Sequence, residues 1–278
     1  MKLKKENQNI QPQFLLFMHI PKTAGTTLRS IIDLQYGEEN VLTYYNQNNR
    51  SLLDNLGVFV YNQPNYRALI GHFQFGAHTT LPEYTRYITF ARDPIERTIS
   101  DYYERIHRTP NRYKTSDGRI MDVSEMIEKF PNEMENHQTK YIAGIILDRE
   151  ITENDCAKAL ENIESKFIFC GLLEEFDTSI LMMSQIFGWP LCVYQSLNKG
   201  APKLFVEKKH QRILQKANKI DSILYKNIKE IFQNSLDKRG KVFKEAATKY
   251  KKTLLNNQSL LRNEGINSKH INVEIEDL

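Results

Sequence analysis

Cysteine is scarce. The three that occur, Cys156, Cys170 and Cys192, are odd in number, lack C-x-x-C spacing and sit among apolar neighbours. That argues against both a disulfide framework and a zinc site, and it fits a reducing compartment. Long hydrophobic runs are missing too: the longest near the start, FLLFM, follows the polar stretch MKLKKENQNIQPQ. It is far below the roughly 18 residues of a spanning helix and has no small-residue cleavage site. The expectation is a cytoplasmic protein that neither spans nor binds a membrane. One-sign charge is also slight, since 38 Lys+Arg against 34 Asp+Glu leaves +4, too little for a nucleic-acid coat. No repeat, no low-complexity tract and no His, Cys or carboxylate cluster with ligand spacing is present, so nothing calls for a metal.

What is there suits one large globular unit. With 278 residues, 40% hydrophobic and 26% charged, the chain is long for one domain and short for two. We expect a flexible start over 1–13, a single domain over 14–265 and a loose tail over 266–278. Oligomeric state is left open.

The chain repeats one grammar. Phe14 to Ile20 is apolar without a break and ends at Pro21, as a strand buried on both faces does. A short loop follows, and from Thr26 or Thr27 the spacing of Leu28, Ile31, Ile32 and Leu34 predicts a helix stopped by Gly37. Arg86 to Arg92 predicts a second strand; after it Asp93 can cap a helix through about Ile106, with Pro94 at its first position and Glu96 at capping-box spacing. Phe167 to Leu172 and a helix ending at Gly188 make a third unit. Three such units imply an α/β fold with a parallel sheet flanked by helices. About 60 residues between the second and third units, with helical stretches at Val123–Phe130, His137–Ile146 and Asn154–Ile163, read as a helical insertion. Lysine-rich helices follow Leu204, with Ile213, Leu214, Ala217, Ile220, Ile223, Leu224, Ile228 and Ile231 near helical spacing and expected to pack on the domain.

The chemistry concentrates at the loops. Pro21-Lys22-Thr23-Ala24-Gly25-Thr26-Thr27 places small residues, a lysine and hydroxyls between a buried strand and a helix start, a backbone cradle for phosphate. The helix dipole adds about 0.3–1 kcal/mol for an anion. This is not the GxxxxGK[ST] loop of common ATPases and GTPases, because Lys22 precedes Gly25 instead of following a glycine. Arg92, at the end of the second strand, and Ser100, two turns into the next helix, suit a second phosphate in the same crevice. The plainer alternatives are an incidental lysine in a turn, an Arg92 salt bridge to Asp93 or Glu96, and a satisfied helical hydroxyl.

Together these residues carry a resemblance. HIPKTAGTTL resembles the 5′-phosphosulfate-binding loop, and TFARDPIERTISDYY the 3′-phosphate-binding segment, of sulfotransferases that use 3′-phosphoadenosine 5′-phosphosulfate (PAPS) and release 3′-phosphoadenosine 5′-phosphate (PAP). The R-D-P-x-x-R-x-x-S-x-Y-Y form is most similar to the branch with heparan and uronyl 2-O-sulfotransferases and their bacterial relatives. The resemblance covers Phe14 to Lys203 and implies a P-loop-NTPase-like sheet. It implies that the backbone of Thr23, Ala24, Gly25, Thr26 and Thr27 and the side chains of Lys22, Thr26 and Thr27 hold the 5′-phosphosulfate. Arg92 and Ser100 would hold the 3′-phosphate, and Asn198-Lys199-Gly200 resembles a late loop that closes over the nucleotide, through Lys199 and Gly200.

Transfer also needs a base, because an acceptor hydroxyl loses its proton as it attacks sulfur. His72, in IGHFQFG, follows the apolar stretch Ala68 to Ile70 and matches a Gly-His pair of the glycan 2-O-sulfotransferases. It is the expected base; a structural histidine is the alternative, and His19 is assigned to positioning. Lys22 would stabilise the leaving oxygen, while His107 and His137 are possible acceptor-pocket residues. The segment Asn136 to Tyr141 resembles a further stretch of these relatives, with Lys140 in place of arginine; an exposed helical face is the competing reading. The acceptor is expected to be a small soluble hydroxyl compound, or else a glycan. A cationic acceptor would want acids such as Glu133, Glu135 or Asp148. A kinase should show a standard nucleotide loop and a magnesium-holding aspartate, and a silent scaffold should lack His72.

Overall fold

Phe14–Met18, five residues without a polar side chain, form strand β1, and all five are buried. In the computed structural model, which describes residues 13–45, 50–146, 149–194, 208–263 and 270–271, this strand is the middle of a five-stranded sheet. Its partners are β2 (Val41–Tyr44), β3 (Ala68–Gly71), β4 (Thr85–Ala91) and β5 (Phe167–Leu172). The order is β2-β3-β1-β4-β5 and every pairing is parallel. Burial on both faces is what allows β1 its unbroken apolar run. The α/β sheet with helices on its faces is the expected P-loop-like arrangement.

Helix α1 (Gly25–Tyr36) leaves the end of β1 and buries Leu28, Ile31 and Ile32, and Gly37, at φ 84°, ends it. Short helices α2 (Arg50–Asp54) and α3 (Leu56–Asn62) lead to β3. Helix α4 (Pro94–Arg108) follows β4 as expected: Asp93 accepts the Glu96 backbone N–H and Pro94 takes the first position. Glu96 does not complete a capping box. The Asp93 N–H goes instead to Glu174 Oε1 at 2.8 Å, a partner supplied by the far end of β5.

The insertion comprises α5 (Val123–Lys129), α6 (Pro131–Met134), α7 (His137–Ala143) and α8 (Glu153–Lys166). Val123, Met126, Ile127 and Met134 make a small second core with Leu214 and Ala217, against Ile95, Ile99, Tyr102 and Ile106 of α4. After α9 (Phe176–Phe187) come α10 (Gln211–Ala217), α11 (Lys219–Lys238) and α12 (Gly240–Asn263). Ile220, Leu224 and Ile228 are buried as expected, but Ile223 and Ile231 face outward at 38% and 46% exposure. The eight apolar positions are divided between two helices, three on α10 and five on α11. In the segment read as a tail, β7 (His270–Ile271) pairs antiparallel with β6 (Val193–Tyr194).

Two helix starts cap one another. Asn136 Oδ1 accepts the N–H groups of Ile220 and Asp221, and Asp221 accepts those of Gln138 and Thr139 together with the Thr139 hydroxyl. Five such bonds would be costly to leave unmade in a buried place, and this lock sets α7 against α11. The four backbone donors and one hydroxyl are all satisfied by two side chains.

Candidate functional site

Because β3, β1 and β4 are neighbours running the same way, the residues just past their ends, His72, the 19–24 loop and Arg92, gather at one edge of the sheet. In open α/β sheets that edge is where ligands bind.

The loop after β1 is strained. Lys22 and Ala24 have φ of 73° and 65°, and among the described residues only Asn136 shares a positive φ without being glycine. Left-handed backbone costs a side-chain-bearing residue about 1–2 kcal/mol, so the loop must be held there. The Thr23 hydroxyl helps by donating to the Ile20 carbonyl at 2.8 Å. Left-handed residues between ordinary ones turn successive N–H groups toward one point, a concavity for an anion at the start of α1. Ala24→Gly is expected to raise the unfolding free energy by up to about 1 kcal/mol. A urea midpoint that does not rise would contradict strain at this position.

Gly25 begins α1 with the His19 ring against it; a Cβ there would lie 1.9 Å from His19 Nε2. The glycine is thus needed for a close approach. His19 is neutral, its pKa lowered to about 3 by burial and then by the nearby His72 and Lys22.

Arg92 ties the second strand end to the loop. Its Nη1 donates to the Lys22 carbonyl at 3.1 Å, and its Nη2 lies 3.7 Å from Glu96. Its backbone is gripped on both sides by Gln138, which accepts the Arg92 N–H at 3.0 Å and donates to the Arg92 carbonyl at 2.8 Å. Lys22 reaches α4 as well, pairing with Glu104 at 3.2 Å. Glu96, Ser100 and Glu104 succeed one another at four-residue spacing on α4, so Ser100 shares the face to which both cations reach. The half-buried Ser100 is therefore placed between Arg92 and Lys22 along the helix.

His72 is oriented by its surroundings. Its backbone N–H donates to the Tyr44 carbonyl, and its Nδ1 lies 2.8 Å from the His19 carbonyl. A carbonyl only accepts, so Nδ1 carries the proton and the neutral ring keeps a lone pair on Nε2. Burial, the largest influence, lowers the His72 pKa, which keeps that lone pair available near neutral pH. The rings of His19 and Tyr45 flank it at centroid distances of 4.6 and 4.9 Å. Arg29 stands over the Tyr45 ring at 5.8 Å.

Other expectations divide. Thr27 is buried and Thr26 exposed at the start of α1, while Lys199 and Gly200 lie outside the described residues. His107 is exposed; His137 is half-buried, with both ring nitrogens shielded from solvent, and burial drives its pKa well down, with Arg97 and Asp101 as further influences. Glu133 is engaged by Arg105 and Arg112, and Asp148 lies outside the described residues. The Asn136–Tyr141 segment is no exposed face: Gln138, Thr139 and Lys140 are buried, and Lys140 Nζ donates to the Asn132 carbonyl at 2.7 Å. Sequence reasoning missed Glu104 altogether. Its spacing four residues past Ser100 is the signal that would have placed it on the same face.

Beyond Arg92 a cavity of about 700 Å³ opens between the ends of β4 and β5 and helix α11, lined by Asp93, Pro94, Leu172, Glu175, Tyr225 and Phe232 among others. Among the described residues, no group of three or more His, Cys, Asp or Glu is placed to hold a metal ion, and no helix is long and apolar enough to cross a membrane. The three cysteines are buried and free, and burial lifts Cys170 to about 12.

A parallel sheet with a strained anion loop after its central strand, an arginine at the next strand end and a neutral histidine at the third defines an α/β protein built to handle an anionic group. Residues 10–263 match the sulfotransferase family, and the chain belongs to it. No curated protein sequence matches the chain. Among solved structures, it is similar to a mouse sulfotransferase complexed with PAP, at 12% identity and TM-score 0.41 over 73% of this chain and 64% of that one. It is also similar to a retinol dehydratase in a complex with retinol and PAP, at 11% identity and TM-score 0.35 over 74% and 64%. A second retinol dehydratase structure, with androsterone and inactive cofactor PAP, has 13% identity and TM-score 0.32 over 75% and 65%. The chain thus spans just under two thirds of the length of each.

Proposed function

We propose that the protein transfers a sulfuryl group from PAPS to an acceptor hydroxyl. The observation that carries this reading is a histidine with a free Nε2 lone pair beside a strained anion loop, with His19 touching both. The donor, when bound, supplies a sulfur open to attack by the acceptor oxygen. His72 takes the acceptor proton on Nε2, and Lys22 faces the oxygen that leaves with PAP. The backbone of Thr23 to Thr27 and the helix start hold the 5′ group, and Arg92 and Ser100 hold the 3′-phosphate. The cavity next to Arg92 has room for the purine.

For the acceptor, we favour a small hydroxyl compound, because the Tyr45 ring, edge-on at 4.9 Å, crowds the partly buried base. A glycan acceptor, as in the uronyl 2-O-sulfotransferase branch, is favoured instead by Arg29 over that same ring. Turnover of a panel of both kinds with PAPS, followed as PAP release, separates the two.

The donor assignment is tested at Ser100. Ser100→Ala is expected to weaken PAP by about 1.5–3 kcal/mol, the range for a hydrogen bond to a charged group, and to leave adenosine 5′-phosphosulfate nearly unchanged. Equal losses for both nucleotides would move Ser100 out of the 3′-phosphate site.

A further inference from the structure

Glu104 stands between two cations. Its Oε2 is 3.2 Å from Lys22 Nζ, while its Oε1 pairs with Arg108 Nε one helical turn further on. The Lys22 and Glu104 side chains are 21% and 29% exposed, whereas Arg108 is 75% exposed. One carboxylate is thus shared between a lysine in the strained loop and an arginine at the rim. A carboxylate beside Lys22 is unfavourable once a polyanion arrives there, because like charges at such range repel strongly in a partly dry site.

Resting on the sulfuryl-transfer reading, we propose that Glu104 is a positioning residue for Lys22. It holds the ammonium while the donor site is empty and retires to Arg108 when the donor's anionic group takes the lysine. Arg108 makes this possible, since the carboxylate keeps a partner after it releases Lys22. Donor binding then has to break one partly exposed ion pair, and affinity is lowered by that pair's worth. Among the described residues no other acid forms an ion pair with Lys22, and Glu96, one turn before Ser100, pairs with Arg92.

The test is a double-mutant cycle read by calorimetric titration with PAP. Glu104→Gln keeps the side chain's shape on a helix face that is part exposed. It is expected to bind PAP about two- to fivefold tighter than wild type, the range set by a part-exposed ion pair. In a Lys22→Met background the same change is expected to give a clearly smaller gain, because only the direct repulsion between carboxylate and PAP is left to relieve. Steady-state kinetics add a readout that a purely structural role would not give: the gain falls on the donor KM, with no rise in kcat. Affinity that is unchanged or weaker in Glu104→Gln, or an equal gain without Lys22, overturns the role of Glu104 while leaving the donor site standing. Wild type that fails to bind PAP overturns both.

Discussion

Replacing His72 by alanine is expected to lower turnover about 10²- to 10⁴-fold, the range for removing a general base, with PAP affinity near the wild-type value. The split follows from placement. His72 leaves β3, while the groups assigned to the nucleotide lie on the β1 loop, the end of β4 and α4. The His19 carbonyl fixes the Nδ1 proton, so the lone pair proposed to take the acceptor proton is the one on Nε2. Burial lowers the His72 pKa below 6.5, and the sign of the pH dependence follows. The ring is neutral and active at pH 7. As pH falls through the lowered pKa it becomes protonated and kcat/KM declines, giving an acid limb centred below pH 6.5. The alanine variant should keep its residual rate flat across that limb. Turnover close to wild type in His72→Ala, or an acid limb that survives the substitution, would remove it as the base.

Lys22→Met is the second large effect. Removing a charge aimed at a developing anion costs about 10²- to 10³-fold in kcat when the donor is preorganised in a site of this kind. The substitution keeps an unbranched stem one atom shorter and leaves the φ of 73° as strained as before, so the loop is not relieved. The Arg92 bond to the residue 22 carbonyl does not depend on the side chain and should persist. We therefore expect the loss in kcat to exceed the loss in PAP affinity, both measured on the same preparation. A variant that loses affinity and keeps kcat would make Lys22 an anchor of the ground state.

Much of this was legible in the sequence because the signals are local. Phe14–Met18 is a strand by its lack of polar residues, and Asp93-Pro94 starts a helix by its own capping chemistry. The lysine, arginine and histidine were legible for the same reason, each standing just past an apolar strand. What was not legible depends on partners far along the chain. Strand β2 is four residues at the sheet edge with Thr43 exposed, too short and too mixed to declare itself. Glu96 has capping-box spacing, yet the N–H it would have taken is held by Glu174, 81 residues from Asp93. Asn136 to Thr139 looked equally like an exposed face or a contact for the acceptor, and its burial comes from Asp221 and Ile220, more than 80 residues on. That lock positions Gln138, and Gln138 positions Arg92, so a segment without a role of its own at the site still sets the angle of its arginine.

Calorimetric titration of the protein with PAP, paired with ATP plus magnesium, tests the donor site most directly. The account predicts micromolar binding of PAP and little of ATP, because the loop lacks the glycine-lysine-hydroxyl order of ATP-binding loops and Arg92 with Ser100 favours a 3′-phosphate. Preference for ATP, or no binding of either nucleotide, would contradict it.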